Sequence, residues 1–244
     1  MKKIIITIPT HNEELIIKAS IHKILEFCSR KLQNYNWHIL VADNGSTDET
    51  IKIVKEMANK ENRLSYFHIN QKGRGGALKK AWSLEYPSDI YIYFDVDLAT
   101  DLKYLIPLIA AIDQKRYDIA IASRLKKGSR TERSVSREII SRIYNIILRL
   151  FFNLNVQDAQ CGFKAISQKT AKEIIPLVKN NNWFFDTEFL ILSQLKKYKI
   201  DEIPVEWREK RFKERKTKVK IIRTIAEDLL GLLRIKIQYL FHKY

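Results

Sequence analysis

Five short strand-like segments rich in apolar residues, most followed by a stretch with helical spacing, constrain the architecture of this chain more than any other feature. They cover residues 4–8, 38–42, 64–69, 90–94 and 119–122. The apolar run at residues 4–8 suits a strand buried on both faces of a parallel sheet, and the others read as further strands. Helix signals lie between them, over residues 13–27, 46–57, 76–84 and 102–112. The first has Leu15, Ala19, Ile21 and Leu25 at helical spacing, and the second is preceded by Ser46, Thr47 and Asp48 as caps. This rhythm predicts an α/β fold, a mostly parallel sheet between helix layers. Ligands in such folds bind beyond the carboxyl ends of the strands. Seven glycines and five prolines are too few for an all-β protein built on many turns.

The second half reads differently. Residues 134–153 and 219–241 predict long amphipathic helices with a mixed segment between them. Arg142 and Arg149 interrupt the first, and Arg223, Glu227, Asp228, Arg234 and Lys236 the second, so neither is read as a membrane span. Two readings stay open for each helix, lying in a membrane interface or packing on the domain. A length of 244 residues fits one large domain with a short extension. Cys28 and Cys161 cannot make a disulfide framework, and the five histidines form no zinc pattern. The apolar run at residues 4–8 is too short for a secretory leader, so the expected compartment is the cytoplasm.

Charge narrows the partners. The chain carries 44 basic and 28 acidic residues, a net +16, which predicts a polyanionic partner such as nucleic acid, an anionic membrane face or a phosphorylated substrate. Residues 124–137 hold a net +5 and residues 208–220 a net +6. A solvated basic surface explains such runs, but both fall in expected loops, where anion binding explains them better.

Six of the seven glycines, Gly45, Gly73, Gly75, Gly76, Gly128 and Gly162, fall at strand ends or just after them. The cluster from Lys72 to Ala77 opens a helix, whose free N–H groups suit an anion. It has neither the Gly-Lys-Ser/Thr of an ATP-binding loop nor the dinucleotide signature. Asp95-Val96-Asp97 follows the apolar strand at residues 90–94. In an extended backbone both carboxylates project from one side, where a hard divalent cation with phosphate oxygens would relieve their repulsion. Helix capping is the competing explanation, and Asp101 suits it better. Residues 9–13 and 43–48 place further polar groups at the ends of the first two strands. Capping could explain any one of these groups, but several strands aiming polar residues at one edge is the architecture of a site.

Taken in order, these pieces resemble glycosyltransferase family 2, inverting enzymes with the GT-A fold. The matching segments are residues 9–13, 41–48, 73–77, 95–97 and 122–124. Residues 95–100, 158–164 and 183–188 are similar to the branch that glycosylates dolichyl or polyprenyl phosphate, the dolichyl-phosphate β-glucosyltransferase type above all. The family often has Tyr where His11 stands. Leu98-Ala99-Thr100 departs from the Leu-Gln or Leu-Ser common in mannose-transferring relatives, which favours the glucosyl branch.

The resemblance implies a GT-A catalytic domain over residues 1–216 and an amphipathic helical extension over 217–244. It places Pro9, His11 and Glu13 beside the nucleotide, Val41 and Asp43 at the base, and Gly75 in the anion-binding turn. Asp95 and Asp97 would hold Mg²⁺ or Mn²⁺, and Arg124, Arg208 and Lys218 would contact phosphates. Asp97, Arg124 and Asp186 are the implied catalytic set. Glu188 is a second candidate base beside Asp186, although a phosphate acceptor needs none. The expected reaction moves glucose from UDP-glucose to a polyprenyl phosphate, with the enzyme held peripherally on the anionic cytoplasmic face of a membrane. GDP-mannose as donor, or a polysaccharide or protein as acceptor, are the alternatives within the fold. A basic nucleic-acid-binding module would explain +16 but not Asp95 and Asp97, which repel phosphates, so nucleic acid is not an expected partner.

Overall fold

The computed structural model describes residues 1–83, 87–209 and 221–241, with side chains in the last segment over 227–237. The first half follows the expected alternation: β1 (Lys3–Thr10), α1 (Ile17–Lys31), β2 (Asn36–Asn44), α2 (Thr50–Ala58), β3 (Leu64–Ile69), α3 (Arg74–Ser83), β4 (Ile90–Phe94), α4 (Leu105–Asp113) and β5 (Ile119–Ser123). The first helix begins later than the spacing predicts. Residues 13–16 form a turn closed by Ile17 N–H on the Glu13 carbonyl at 2.9 Å, and Leu15 is exposed. Asp101 caps the 3-10 turn before α4, its side chain accepting from Lys103 N at 2.8 Å.

The second half adds β6 (Arg130–Glu132), α5 (Val135–Phe152), β7 (Phe163–Ser167), α6 (Gln168–Glu173), α7 (Phe185–Leu195), β8 (Ile200–Pro204), β9 (Glu206–Arg208) and α8 (Ile221–Phe241). The seven-stranded sheet runs β3-β2-β1-β4-β7-β5-β8. All neighbours are parallel except β7, which lies antiparallel between β4 and β5. A small parallel pair, β6 with β9, stands apart.

Strand alternation splits the core in two. Ile4, Ile6 and Ile8 face α1, α2 and α4, whereas Ile5, Leu40, Tyr91 and Tyr93 face α3, α6 and α7. A one-residue slip would exchange these sets, so burial on both faces fixes the register. Leu148 of α5 and Leu232 and Ile235 of α8 join the second core. The C-terminal helix is thus packed on the domain along one side. At Gly231 it comes so close to Phe184 that a Cβ would meet the ring at 2.3 Å. The expected boundary at 216/217 lies outside the described residues.

Asp228 is buried at this junction, with Gln160 Nε2 donating to it at 3.2 Å. Burial pushes its carboxyl from the usual 3.8 up to about 7, with Tyr144 opposing and Glu227 adding to the rise. Between about pH 4 and 7 the folded chain therefore keeps a proton that the unfolded chain has lost. Stability falls as pH rises through that window, and the full cost is present above pH 7. Asp228→Asn is expected to stabilise the protein at pH 8 by up to about 4 kcal/mol. The gain shrinks toward zero near pH 4. Urea unfolding at pH 8, 6 and 4.5 checks this, and a pH-independent difference would contradict it.

Candidate active site at the carboxyl edge of the sheet

Parallel β1, β2, β4 and β5 all end at one edge, and antiparallel β7 begins there. Phe94, the last residue of β4, is in register with Phe163, the first of β7. Asp95 then donates its N–H to the Gly162 carbonyl at 3.1 Å. The chain does not stay extended through the acidic pair, as the sequence reading expects. It turns, with Leu98 N–H on the Asp95 carbonyl at 3.2 Å and Leu98 at φ 51°. Val96 goes into the core, while Asp97 caps the turn by accepting from Ala99 N at 3.1 Å. Gly162 gives Asp95 its room, because a Cβ there would lie 2.1 Å from Oδ2.

Behind the pair stands a network of charges. Arg74, the first residue of α3, donates through Nη2 to Asp95 Oδ1 at 3.0 Å and through Nη1 to Asp186 Oδ2 at 2.7 Å. Its guanidinium lies 4.8 Å from the Tyr93 ring centre and 5.3 Å from that of Trp183. Buried Lys164 donates to Asp186 Oδ1 at 2.8 Å, to the Cys161 carbonyl at 2.6 Å and to Tyr93 Oη at 3.1 Å. The Tyr93 hydroxyl also donates to Asp186. Burial alone would raise the Asp186 pKa, but Lys164 and Arg74 outweigh it and hold the carboxyl below its usual range. Both oxygens of Asp186 are engaged and its proton is held off, so it is poorly placed to act as a base. Asp95 sits in a dense floor that, with Asp97 beside it, raises its pKa against the pull of Arg74. Its side chain keeps 46% exposure to the cleft, so water screens much of this.

At the nucleotide end the outcome differs from expectation for two residues. Val41 and Asp43 have no exposed surface, so neither side chain is open to a base. Val41 is core, and Asp43 braces the edge. It accepts from His68 Nδ1 at 2.6 Å, Ser46 N at 3.1 Å and Thr10 Oγ1 at 3.3 Å, and from the Ser46 hydroxyl. A carboxylate has about four acceptor sites, and these are filled. Pro9 is buried in register with Ala42. Glu13 is buried, its N–H donating to Thr50 Oγ1 at 2.8 Å, and half-buried His11 adjoins them. Asn12, at φ 53°, accepts from Thr47 N at 2.8 Å and donates its own N–H to Ser46 Oγ at 2.8 Å, joining the first two strand-end loops.

Gly75 has a packing role, since a Cβ would meet Phe185 Cβ at 2.5 Å. Arg124 is forked on buried Asp158, through Nε at 2.7 Å and Nη2 at 2.8 Å, with its own N–H on the same carboxylate at 2.9 Å. Its expected contact with a phosphate therefore meets a guanidinium already committed to the protein. Glu188 ties α8 to α7, accepting from Arg234 Nη2 at 2.7 Å and from Asn180 N at 2.8 Å. Exposed Arg208 pairs with Glu132 at 3.1 Å, and its N–H donates to the Ala99 carbonyl at 2.9 Å, beside the acidic turn. Lys218 lies outside the described residues.

Sequence reasoning missed Arg74, Lys164 and Tyr93 as site residues. Arg74 had a visible signal, a lone arginine inside a glycine cluster. Lys164 had a weaker one, a lysine between Phe163 and the apolar pair Ala165-Ile166.

Among the described residues no cluster of three or more His, Cys, Asp or Glu surrounds a metal position. Two carboxylates on an open turn fit a hard cation that takes its remaining oxygens from water and a diphosphate. The missing Cβ of Gly162 is what lets the Asp95 carboxylate occupy that turn, since a Cβ would lie 2.1 Å from Oδ2.

The fold is similar to that of glucosyl-3-phosphoglycerate synthase from Mycobacterium tuberculosis, solved with Mn²⁺, UDP and glucosyl-3-phosphoglycerate. The TM-score is 0.71 at 15% identity, over 96% of this chain and 80% of that one. The architecture is thus the GT-A fold expected from the sequence. The family model for glycosyl transferase family 2 matches residues 5–175, and the chain belongs to that family of glycosyltransferases. It is 34% identical to glycosyltransferase AglD of Haloferax volcanii over 93% of this chain, and spans 35% of that protein. It is 28% identical to the dolichyl-phosphate beta-glucosyltransferase of Saccharomyces cerevisiae over 84% of this chain and 66% of that protein. Similarly named proteins of Dictyostelium discoideum and Drosophila melanogaster are 26% and 28% identical.

Proposed function

We propose that this protein transfers glucose, with inversion, from UDP-glucose to the phosphate of a dolichyl or other polyprenyl phosphate. The observation that carries this is an acidic pair at the carboxyl edge of the sheet in a chain that also exposes apolar side chains on two long helices. Helices α5 and α8 are linked by Lys236 Nζ, which donates to the Phe151 carbonyl at 3.3 Å. Exposed on them are Ile139, Ile143 and Leu150, and Leu230, Leu233 and Ile237. The names of the relatives support the donor sugar and the lipid acceptor. Among the described residues no helix is long and apolar enough to cross a membrane, and peripheral attachment to the cytoplasmic face is the reading that fits these stripes. On this reading residues 1–216 are the catalytic domain and 217–244 the extension that meets the lipid.

Asp95 and Asp97 would hold Mg²⁺ or Mn²⁺, which as a Lewis acid neutralises the leaving diphosphate. Asp186 stays ionised and orients the 183–186 segment instead of removing a proton. That suits a phosphate monoester, whose second pKa near 6 leaves it largely dianionic at neutral pH. Arg208, whose N–H donates to the Ala99 carbonyl beside the acidic turn, would supply charge for the acceptor phosphate, and Lys218 would add to it. Incubation with polyprenyl phosphate and a panel of sugar nucleotides, read by mass of the lipid product, tests the proposal. A glucosylated lipid from UDP-glucose is expected. Product only from GDP-mannose would overturn the donor, and transfer only to sugar hydroxyls would overturn the acceptor.

The membrane part has its own test. Co-sedimentation with anionic liposomes is expected to weaken as salt rises. Leu230→Asp with Leu233→Asp is expected to weaken it at least about tenfold, since each leucine contributes roughly 1.5–3 kcal/mol when buried. Truncating α8 is the poorer experiment, because it removes Leu232 and Ile235 from the core. Unchanged partitioning in the double variant would move the contact elsewhere.

A further inference from the structure

We propose that Arg74 is a built-in competitor for the divalent cation, a positioning residue that couples metal binding to arrival of the sugar nucleotide. The proposal rests on the reading that Asp95 and Asp97 hold the metal. Arg74 Nη2 is 3.0 Å from Asp95 Oδ1. Any cation held by that carboxylate shares it with a guanidinium.

The guanidinium is fixed there. Its side chain is only 9% exposed, Asp186 holds the other arm at 2.7 Å, and the Tyr93 and Trp183 rings lie beside it. The start of α3 is itself immobilised, because Gly73 and Gly75 pack without room for a Cβ against Asn181, Asn182 and Phe185. Arg74 therefore cannot swing clear when a cation arrives. In the free protein it acts twice on Asp95. It offsets the repulsion from Asp97, which keeps the acidic turn in place without a metal, and it lowers the affinity of the pair for a second cation.

A nucleoside diphosphate changes the balance. Bound at the acidic turn, its negative charges would offset the repulsion between the metal and the guanidinium, so affinity for the metal would rise with it. By linkage the metal raises nucleotide affinity by the same factor. On this reading Arg74 would favour occupancy of the acidic pair by a metal only while a nucleoside diphosphate is bound.

This role has a sign that a purely structural brace lacks. If Arg74 only braced Asp95, its removal would loosen the carboxylate and weaken metal binding. A competitor, once removed, leaves metal binding tighter. The test is Mn²⁺ titration, followed by the electron paramagnetic resonance of free Mn²⁺, with and without UDP. Arg74→Gln keeps hydrogen-bonding capacity without charge, and Arg74→Met is a second neutral variant. Without nucleotide either is expected to bind Mn²⁺ about tenfold tighter, the effect of removing one charge about 6 Å from a divalent ion in a water-like medium. The enhancement of Mn²⁺ binding by UDP is expected to shrink in both. Arg74→Lys keeps the charge and is expected to stay within about twofold of wild type.

Equal or weaker Mn²⁺ binding in a neutral variant with wild-type circular dichroism would overturn the proposal, as would Arg74→Lys tightening as much as Arg74→Gln. Asp97→Asn separates the two layers. If it keeps wild-type Mn²⁺ affinity, the metal assignment itself fails. If it loses Mn²⁺ while Arg74→Gln gains nothing, only the competitor role fails.

Discussion

Asp97→Asn is expected to lower turnover by about 10²–10³-fold, the loss of several kcal/mol of charge stabilisation at about 1.4 kcal/mol per tenfold. The fold should not change. The Asp97 oxygen that accepts from Ala99 N at 3.1 Å has a counterpart in the asparagine amide, so the turn keeps its hydrogen bond and loses only charge. Chelation by EDTA should reproduce the defect in the wild type. Sugar transfer assayed beside circular dichroism checks both parts. Near-wild-type turnover would remove the divalent cation from Asp97.

The second large effect is on stability. Asp158→Ala is expected to destabilise the chain by about 3–5 kcal/mol, because it leaves the Arg124 guanidinium without its partner in a low-dielectric site. For a domain of this size that lowers Tm by roughly 10 °C. Asp158 has no exposed surface and Arg124 only 14%. By contrast, the Lys52–Glu49 pair has both side chains more than half exposed, and its removal is expected to leave Tm unchanged. Thermal unfolding of the two variants side by side makes the comparison. A small effect of Asp158→Ala would mean that Arg124 turns outward, which would restore it as a phosphate ligand.

Much of the site could be read in the sequence, but not how its parts are used. Asp95, Asp97 and Asp186 all lie at the carboxyl edge. Asp43 lies there too, yet as a brace whose acceptor sites are filled by Thr10, Ser46 and His68. Arg124 was expected to face a phosphate, and it is spent on Asp158. In both cases the sequence shows a charged residue at the edge, and folding brings it a protein partner that the sequence does not show.

The order of elements, the two long helices and the polar strand ends are local properties. Burial on both faces of β1 and β4 shows as a nearly unbroken apolar run and helical burial as a 3.6-residue spacing, so the sequence alone determines these elements. The insertion of β7 between β4 and β5 is different. Residues 163–167 form a five-residue strand with a charge inside it, and nothing local states its direction or neighbours. Because β7 runs antiparallel, its first residues reach the same edge as the end of β4, and Gly162 comes to rest on Asp95. The Arg74–Asp186 pair spans 112 residues of sequence. Pairing of buried charges depends on which side chains meet once the sheet is built, and only the tertiary structure decides that.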